Sequence, residues 1–149
     1  MFENCTSLTS ISVNNLDKLF SGIRMFYGCT ALETFDIDLR TTDRANYMFC
    51  NCSNLISFNS DLSSLKYGSY MFSNCSLNAP SVQNIALTIN KVTNSPRIDI
   101  GVDTTIVSDT QVKKDLGLIK HKGWDIYVNN SSATSNYTLP KYAGCTTVD

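Results

Sequence analysis

Met25-Phe26-Tyr27-Gly28-Cys29-Thr30-Ala31-Leu32-Glu33-Thr34-Phe35-Asp36-Ile37 is the stretch whose reading decides the fold, because its opening phrase recurs. Met1-Phe2-Glu3-Asn4-Cys5, Met48-Phe49-Cys50-Asn51-Cys52 and Met71-Phe72-Ser73-Asn74-Cys75 repeat it, with the Met positions stepping by 24, 23 and 23. A unit of that length cannot bury its own apolar face and must stack on a neighbour, so a fixed period in the twenties predicts a solenoid. After each Cys the repeats read Leu8-x-x-Ile11-x-Val13, Leu32-x-x-Phe35-x-Ile37 and Leu55-x-x-Phe58. The last two apolar positions alternate as one face of a strand requires, so each repeat is expected to give one short parallel strand. The linking segments, such as 15–26 and 40–49, are expected to form helical or irregular turns that return Met and Phe beneath the sheet.

The M-F-x-x-C-x-x-L phrase at about 23-residue spacing resembles the BspA-like leucine-rich repeat family over residues 1 to about 78. The resemblance implies a surface-displayed protein of bacteria, some protists or phages that works in adhesion and protein binding rather than catalysis. The third repeat departs from the pattern at Ser60, where an apolar residue is expected. The fourth is one residue short before Leu77 and runs into Ala79-Pro80, where regular stacking is expected to end.

Beyond Pro80 the rhythm changes. Val82, Ile85, Ala86 and Ile89 recur at helical spacing, which predicts a helix over 81–91 closed by Asn94-Ser95-Pro96. Ile98, Ile100 and Val102 alternate as a strand. Asp109 can cap a second helix bearing Val112, Leu116 and Ile119, with Gly123 at its C-terminal cap, and Trp124, Ile126 and Val128 alternate as another strand. Strand, helix and strand in this order favour a parallel pair with a right-handed crossover, which would extend the repeat sheet by two enlarged rungs. The expected fold class is therefore α/β: a leucine-rich-repeat solenoid with a parallel β-sheet over residues 1–79, extended by an α-β-α-β segment over 80–128. Residues 129–149 read as a loop, rich in Asn, Ser and Thr to 138, and then the start of a further repeat, since Tyr142-Ala-Gly-Cys145-Thr-Thr-Val148 copies Phe26-Tyr-Gly-Cys29-Thr-Ala-Leu32. Both ends of the stack are expected to show apolar edges. Either the chain is a piece of something longer, or those edges meet partners, as a homo-oligomer or larger assembly would allow.

Composition sets broad limits. The 149 residues are 42% hydrophobic and 17% charged with a net charge of -1, which fits one folded unit and supplies neither a basic nucleic-acid platform nor a disordered polyelectrolyte. No run of about 18 apolar residues is present to span a bilayer, so membrane insertion is not expected, and no signal peptide is read in residues 1–25. Cys5, Cys29, Cys52 and Cys75 occupy one repeat position, so their spacing belongs to the repeat. They are expected to stack as buried free thiols with parallel side chains, an arrangement poorly suited to disulfides.

Sites for chemistry are sparse. No nucleophile motif accompanies the single His121, which is read as solvated near a helix end. Asp36 and Asp38, with Asn59 and Asp61 one repeat on, form polar columns read as strand-end polarity rather than a calcium site, because no D-x-D-x-D-G loop is present. No phosphate-cradling glycine motif occurs, so no catalytic residue, metal or cofactor is expected. The outward sheet positions remain: Thr9, Ser10, Ser12, Glu33, Thr34, Asp36, Ser57 and Asn59 are the candidate ligand contacts, for a protein or glycan. The main expectation is thus a non-enzymatic recognition module of a cell-surface or adhesive protein. The alternative is a structural component of a phage particle, because Lys122-Gly123-Trp124 is similar to segments that follow such repeats in gut-bacterial and phage-tail-like proteins; its location would then be the virion.

Overall fold

The computed structural model describes residues 1–13 and 16–132. The fifth repeat expected at 142–148, with Cys145, and the loop from 133 onward lie outside the described residues.

Each of the first three M-F-x-x-C phrases folds as overlapping turns that also pair with the next repeat. In the second repeat Met25, Tyr27 and Cys29 donate their N–H groups to carbonyls three residues back, while Arg24, Phe26 and Gly28 donate to Asn46, Met48 and Cys50. Tyr47, Phe49 and Asn51 make the same bonds to Ser69, Met71 and Ser73 one rung later. Alternate amides thus close a turn or join a rung, which satisfies the backbone without helix or continuous strand. The geometry demands a positive φ at the third turn position, found at Arg24, Tyr47 and Tyr70 (55–59°) and at Asn4, Asn51 and Asn74 (58–64°). Asn tolerates this left-handed conformation better than most residues. The linking segments therefore hold turns where helical turns were an option.

The L-x-x-F segment gives two short parallel strands, β1 (Thr34–Phe35) and β2 (Ser57–Phe58), with Thr34 opposite Ser57 and Phe35 opposite Phe58. The expected strand of the first repeat is absent. There Thr9 accepts one bond from the Glu33 N–H, and Val13, expected inward, is 39% exposed because none of the described residues covers it.

Between the strand and turn walls lies a column of stacked rings, Phe2, Phe26, Phe49 and Phe72, with centroids 5.4–5.6 Å apart and planes within 4°. Phe35 and Phe58 meet that column edge-on at 4.8–5.7 Å. Met25, Met48, Met71, Leu32, Leu39, Leu55, Leu62 and Leu65 fill the remainder.

After the fourth phrase the two walls part company. The phrase itself lies in β3 (Gly68–Leu77), which pairs in parallel with β4 (Arg97–Val102); β4 pairs in parallel with β5 (Asp125–Val128), and β6 (Ser131–Ser132) closes antiparallel on β5. The two enlarged rungs therefore extend the turn wall and not, as expected, the β1–β2 sheet. That sheet stops because Asn78 turns the chain into α1 (Ala79–Thr88): its side chain accepts from Ser81 N, and Pro80, which lacks an N–H, suits the first helical turn. The helix begins two residues before the expected 81 and ends at 88. Gly101 permits the close passage of β4 along the irregular β3, since a Cβ there would sit 2.6 Å from Cys75 N and O and Phe72 O.

Helix α2 (Thr110–His121) packs on α1 and carries Val112, Leu116 and Ile119 inward. Asp109 caps it by accepting from Gln111 N and Val112 N, and Gly123 ends it at φ +99°, both as the sequence predicts.

Candidate functional site: the outward faces of the repeats

Seven of the eight outward sheet positions, Thr9, Ser10, Ser12, Glu33, Thr34, Asp36 and Asn59, are exposed, and Ser57 is partly exposed. Backbone pairing sets them in columns. Glu33 donates its N–H to Thr9 O and accepts from Ile56 N and Ser57 N, so Thr9, Glu33 and Ile56 follow one another across the rungs. Ser10, Thr34 and Ser57 form the next column, with the last two in direct register. In the third, Ser12 and Asp36 line one cleft of about 370 Å³, shared with Asp17 and Asp38, and Asn59 follows with its N–H on Phe35 O. The described geometry pairs repeats two and three as β1 and β2; the first rung, with Thr9, Ser10 and Ser12, joins them through the Glu33–Thr9 backbone bond and the cleft that Ser12 shares with Asp36. Ile56 belongs to this face at 48% exposure and is not among the outward positions read from the sequence. Its place directly after Leu55, matching Glu33 after Leu32, is the signal that finds it.

Polar groups at the strand ends are occupied locally. Asp38 pairs with Arg40 and accepts its N–H, and the Arg40 hydrogen bond holds the carboxyl below the usual carboxylate range. Asp61 accepts from Ser63 N at 2.7 Å. Among the described residues no group of three or more His, Cys, Asp or Glu is placed to hold a metal ion.

Ser60, the departure in repeat three, is buried and donates its hydroxyl to Ile37 O at 2.6 Å, so a polar side chain fits an inward slot. The strand edge beside it is covered by a polar stripe on α1. Ser81 Oγ accepts from Phe58 N at 2.8 Å, Asn84 donates to Ser60 O at 2.9 Å, and Thr88 Oγ1 accepts from Leu62 N at 3.3 Å. Positions 81, 84 and 88 share one helix face, which here takes over the hydrogen-bonding role of a further strand. The open backbone of β2 is thereby covered, while the far end of the stack expected near 142–148 lies outside the described residues.

The thiol column stands for Cys29, Cys52 and Cys75. Each is buried and each donates its S–H to the Phe carbonyl one rung back: Phe2 O and Phe26 O at 3.0 Å, Phe49 O at 3.2 Å. Burial pushes the Cys52 thiol up to about 12 and the Cys75 thiol well above its ordinary value. Cys5, expected to be buried with them, is exposed because none of the described residues stacks over it; it, Cys29, Cys50, Cys52 and Cys75 are all free. These thiols are poor nucleophiles, since thiolate is the reactive form.

A second outward face lies on the turn wall, and its signal is the residue before each Met. Arg24, Tyr47 and Tyr70 recur there at the repeat spacing. Tyr47 stacks on Tyr70 at 4.8 Å, and the Arg97 guanidinium lies between Tyr70 and Tyr127, 4.0 and 3.8 Å from their centroids. Asp99, 1% exposed, accepts from Arg97 Nε and an Arg97 terminal nitrogen at 2.8 and 2.7 Å, and its hydrogen bond raises the Arg97 pKa. Beside this stack Asn130 donates to Asn74, Asn74 to Asn51 and Asn51 to the Tyr27 hydroxyl, at 2.9, 2.7 and 3.1 Å. The stack and the ladder each satisfy polar groups of their own, and both tie the repeats to β4–β6.

Stacked rungs, each with a short parallel strand and a turn, joined to helices in one α/β unit, define a leucine-rich-repeat type of domain. Residues 1–95 match the family model for the BspA type leucine rich repeat region in six copies, and the chain belongs to that family. This is generally a non-catalytic repeat family, often surface-associated, whose members suggest a protein-interaction or surface repeat module. No curated protein and no solved structure matches the chain. Among the described residues no helix is long and apolar enough to cross a membrane.

Proposed function

We propose that the chain is a non-enzymatic recognition module, a leucine-rich-repeat solenoid that binds a protein or glycan through its sheet face as part of a surface-exposed or adhesive protein. The observation that carries this reading is the exposure of three aligned polar columns over a fully packed core. Hydrogen-bonding groups held at fixed spacing on a rigid scaffold suit recognition, because little ordering is needed on binding. Glu33, Thr34, Asp36, Ser57 and Asn59, with Ile56 among them, form the centre of this surface.

The test is a panel of immobilised glycans and host-matrix proteins probed with the chain and with its Glu33→Lys/Asp36→Lys/Asn59→Lys variant. The reading requires that wild type bind at least one panel member and that the variant lose it at unchanged melting temperature. Equal binding by both proteins overturns the assignment to this face.

A second reading, a structural component of a phage particle or other assembly, is favoured by the apolar surface of the first rungs, where Met1, Phe20 and Ile23 are 92%, 67% and 46% exposed. Light scattering over a hundredfold concentration range separates the two, since a closed oligomer supports assembly and a monomer throughout removes it.

A further inference from the structure

A pocket of about 320 Å³ opens where the repeats meet the segment between α1 and β4, lined among others by Lys66, Tyr67, Asn90, Lys91, Asn94 and Pro96. Its size is in the range of small-ligand sites. It lies apart from the sheet face and stands independently of the function proposed for that face.

Its walls are held in place before any ligand arrives. Trp124 Nε1 donates to Asn90 O at 2.9 Å, Val92 N to Lys122 O at 2.8 Å, and Asp125 N to Pro96 O at 3.0 Å, so the 90–96 segment is pinned at both ends and in its middle. Tyr67 is 49% exposed. Arg44, one rung back and bridged to it in parallel, lies over its ring at 5.4 Å from the centroid. Tyr67 thus has Arg44 over its ring and lines the pocket together with the 90–96 segment.

Charge at the pocket is positive on balance. Lys66 is partly compensated by Asp43 at 3.6 Å, while Lys91 has no ion pair among the described residues. Nearby Lys122 points its ammonium at the carbonyls of Ala86 and Ile89, and burial, then the charge of Lys91, lowers its pKa.

We propose that this pocket binds a carboxylated pyranose, a uronic or sialic acid unit, with its apolar ring face on Tyr67 and its carboxylate between Lys66 and Lys91. The combination selects that chemistry. A Tyr face and Pro96 offer apolar contact to the C–H side of a sugar ring, the amides of Asn90 and Asn94 suit hydroxyls, and the two ammonium groups suit one carboxylate.

The test is titration of the full 149-residue chain with methyl glucuronide and with the methyl glycoside of N-acetylneuraminic acid, followed by amide NMR. Methyl glucoside, acetate and inorganic phosphate serve as comparisons. Saturable shifts at Tyr67 and residues 91–96 are expected for at least one acidic sugar, with Kd of about 1 mM or tighter for a ligand of this size. Lys91→Met and Lys66→Met should each weaken it roughly tenfold, as loss of a charge-assisted hydrogen bond does, and removal of the ligand's carboxylate, which loses both, roughly a hundredfold. Tyr67→Leu should weaken acidic sugars while leaving acetate unaffected. The proposal is overturned if neither acidic sugar gives saturable shifts there, if acetate or phosphate binds as tightly as the sugar, or if a Lys66→Met/Lys91→Met double variant binds unchanged. Equal binding by the sheet-face variant Glu33→Lys/Asp36→Lys/Asn59→Lys is expected, which separates failure here from failure of the sheet face.

Discussion

Replacing Ser81 by Ala tests whether α1 closes the strand edge. Ser81 is 2% exposed, and its Oγ is the acceptor for Phe58 N at 2.8 Å. The hydroxyl has one proton, which goes to Asn78 Oδ1 at 2.7 Å or to Ile56 O at 3.0 Å. Both of those oxygens keep another donor after the change: Ser81 N still serves Asn78 Oδ1, and Asn78 N still serves Ile56 O. The Phe58 N–H alone is stranded, beside a side chain 1% exposed, at a cost of about 1–3 kcal/mol. Ala is the better helix former by roughly 0.5 kcal/mol, so the net loss should be about 0.5–2.5 kcal/mol. For a chain of this length that is a fall of roughly 1–10 °C in Tm, read by calorimetry or circular dichroism. Amide exchange supplies the local readout, since Phe58 N–H should lose protection well before Phe35. A Tm within 1 °C of wild type, with Phe58 protection intact, would refute the capping role of Ser81.

Other perturbations probe the remaining columns. Phe49→Ala removes a ring that touches four others and should cost about 3–5 kcal/mol by denaturant unfolding, whereas Phe49→Leu should cost less than half as much. Gly28→Ala should be destabilising, because φ is +72° and the new Cβ meets Asn4 Oδ1 at 2.2 Å; adding Asn4→Gly should recover the steric part and leave the roughly 1 kcal/mol of backbone strain, as a double-mutant cycle can show. Among Cys5, Cys29, Cys50, Cys52 and Cys75, mass spectrometry of a brief alkylation at pH 8 should find Cys5 modified first. Because burial raises the Cys52 and Cys75 pKa values in the folded chain, the unfolded chain binds fewer protons above the ordinary thiol pKa. The thiols' contribution to stability is therefore intact below about pH 8.5 and is lost progressively as pH rises towards about 12, the value for Cys52, which urea midpoints measured from pH 8 upward will reveal.

Much of this architecture is legible in the chain itself. A Phe every 23 or 24 residues places one ring per rung, and rungs of equal length stack them in register, so the core column follows from counting. The α1 and α2 faces, the Asp109 cap and the Gly123 terminus likewise follow from local periodicity and backbone preference, which act within a few residues. The outward polar columns of the candidate site follow from the same alternation. What stayed hidden depends on contacts between distant residues. Whether the chain beyond Leu77 would extend the strand wall or the turn wall was decided by Asn78 and Pro80 starting a helix, whose Ser81, Asn84 and Thr88 then met the open backbone of β2 and its neighbours. Cys5 and Val13 share a repeat position with buried residues, yet they are exposed because burial belongs to the neighbouring rung and not to the residue. The Tyr70–Arg97–Tyr127 stack joins residues 27 and 30 positions apart on different strands. The sequence by itself determined the repeat, its core column and its turns, since these rest on period and local geometry; which wall continued, which edge closed and which groups met across the seam were settled by tertiary packing, because hydrogen-bond and charge partners are chosen in space.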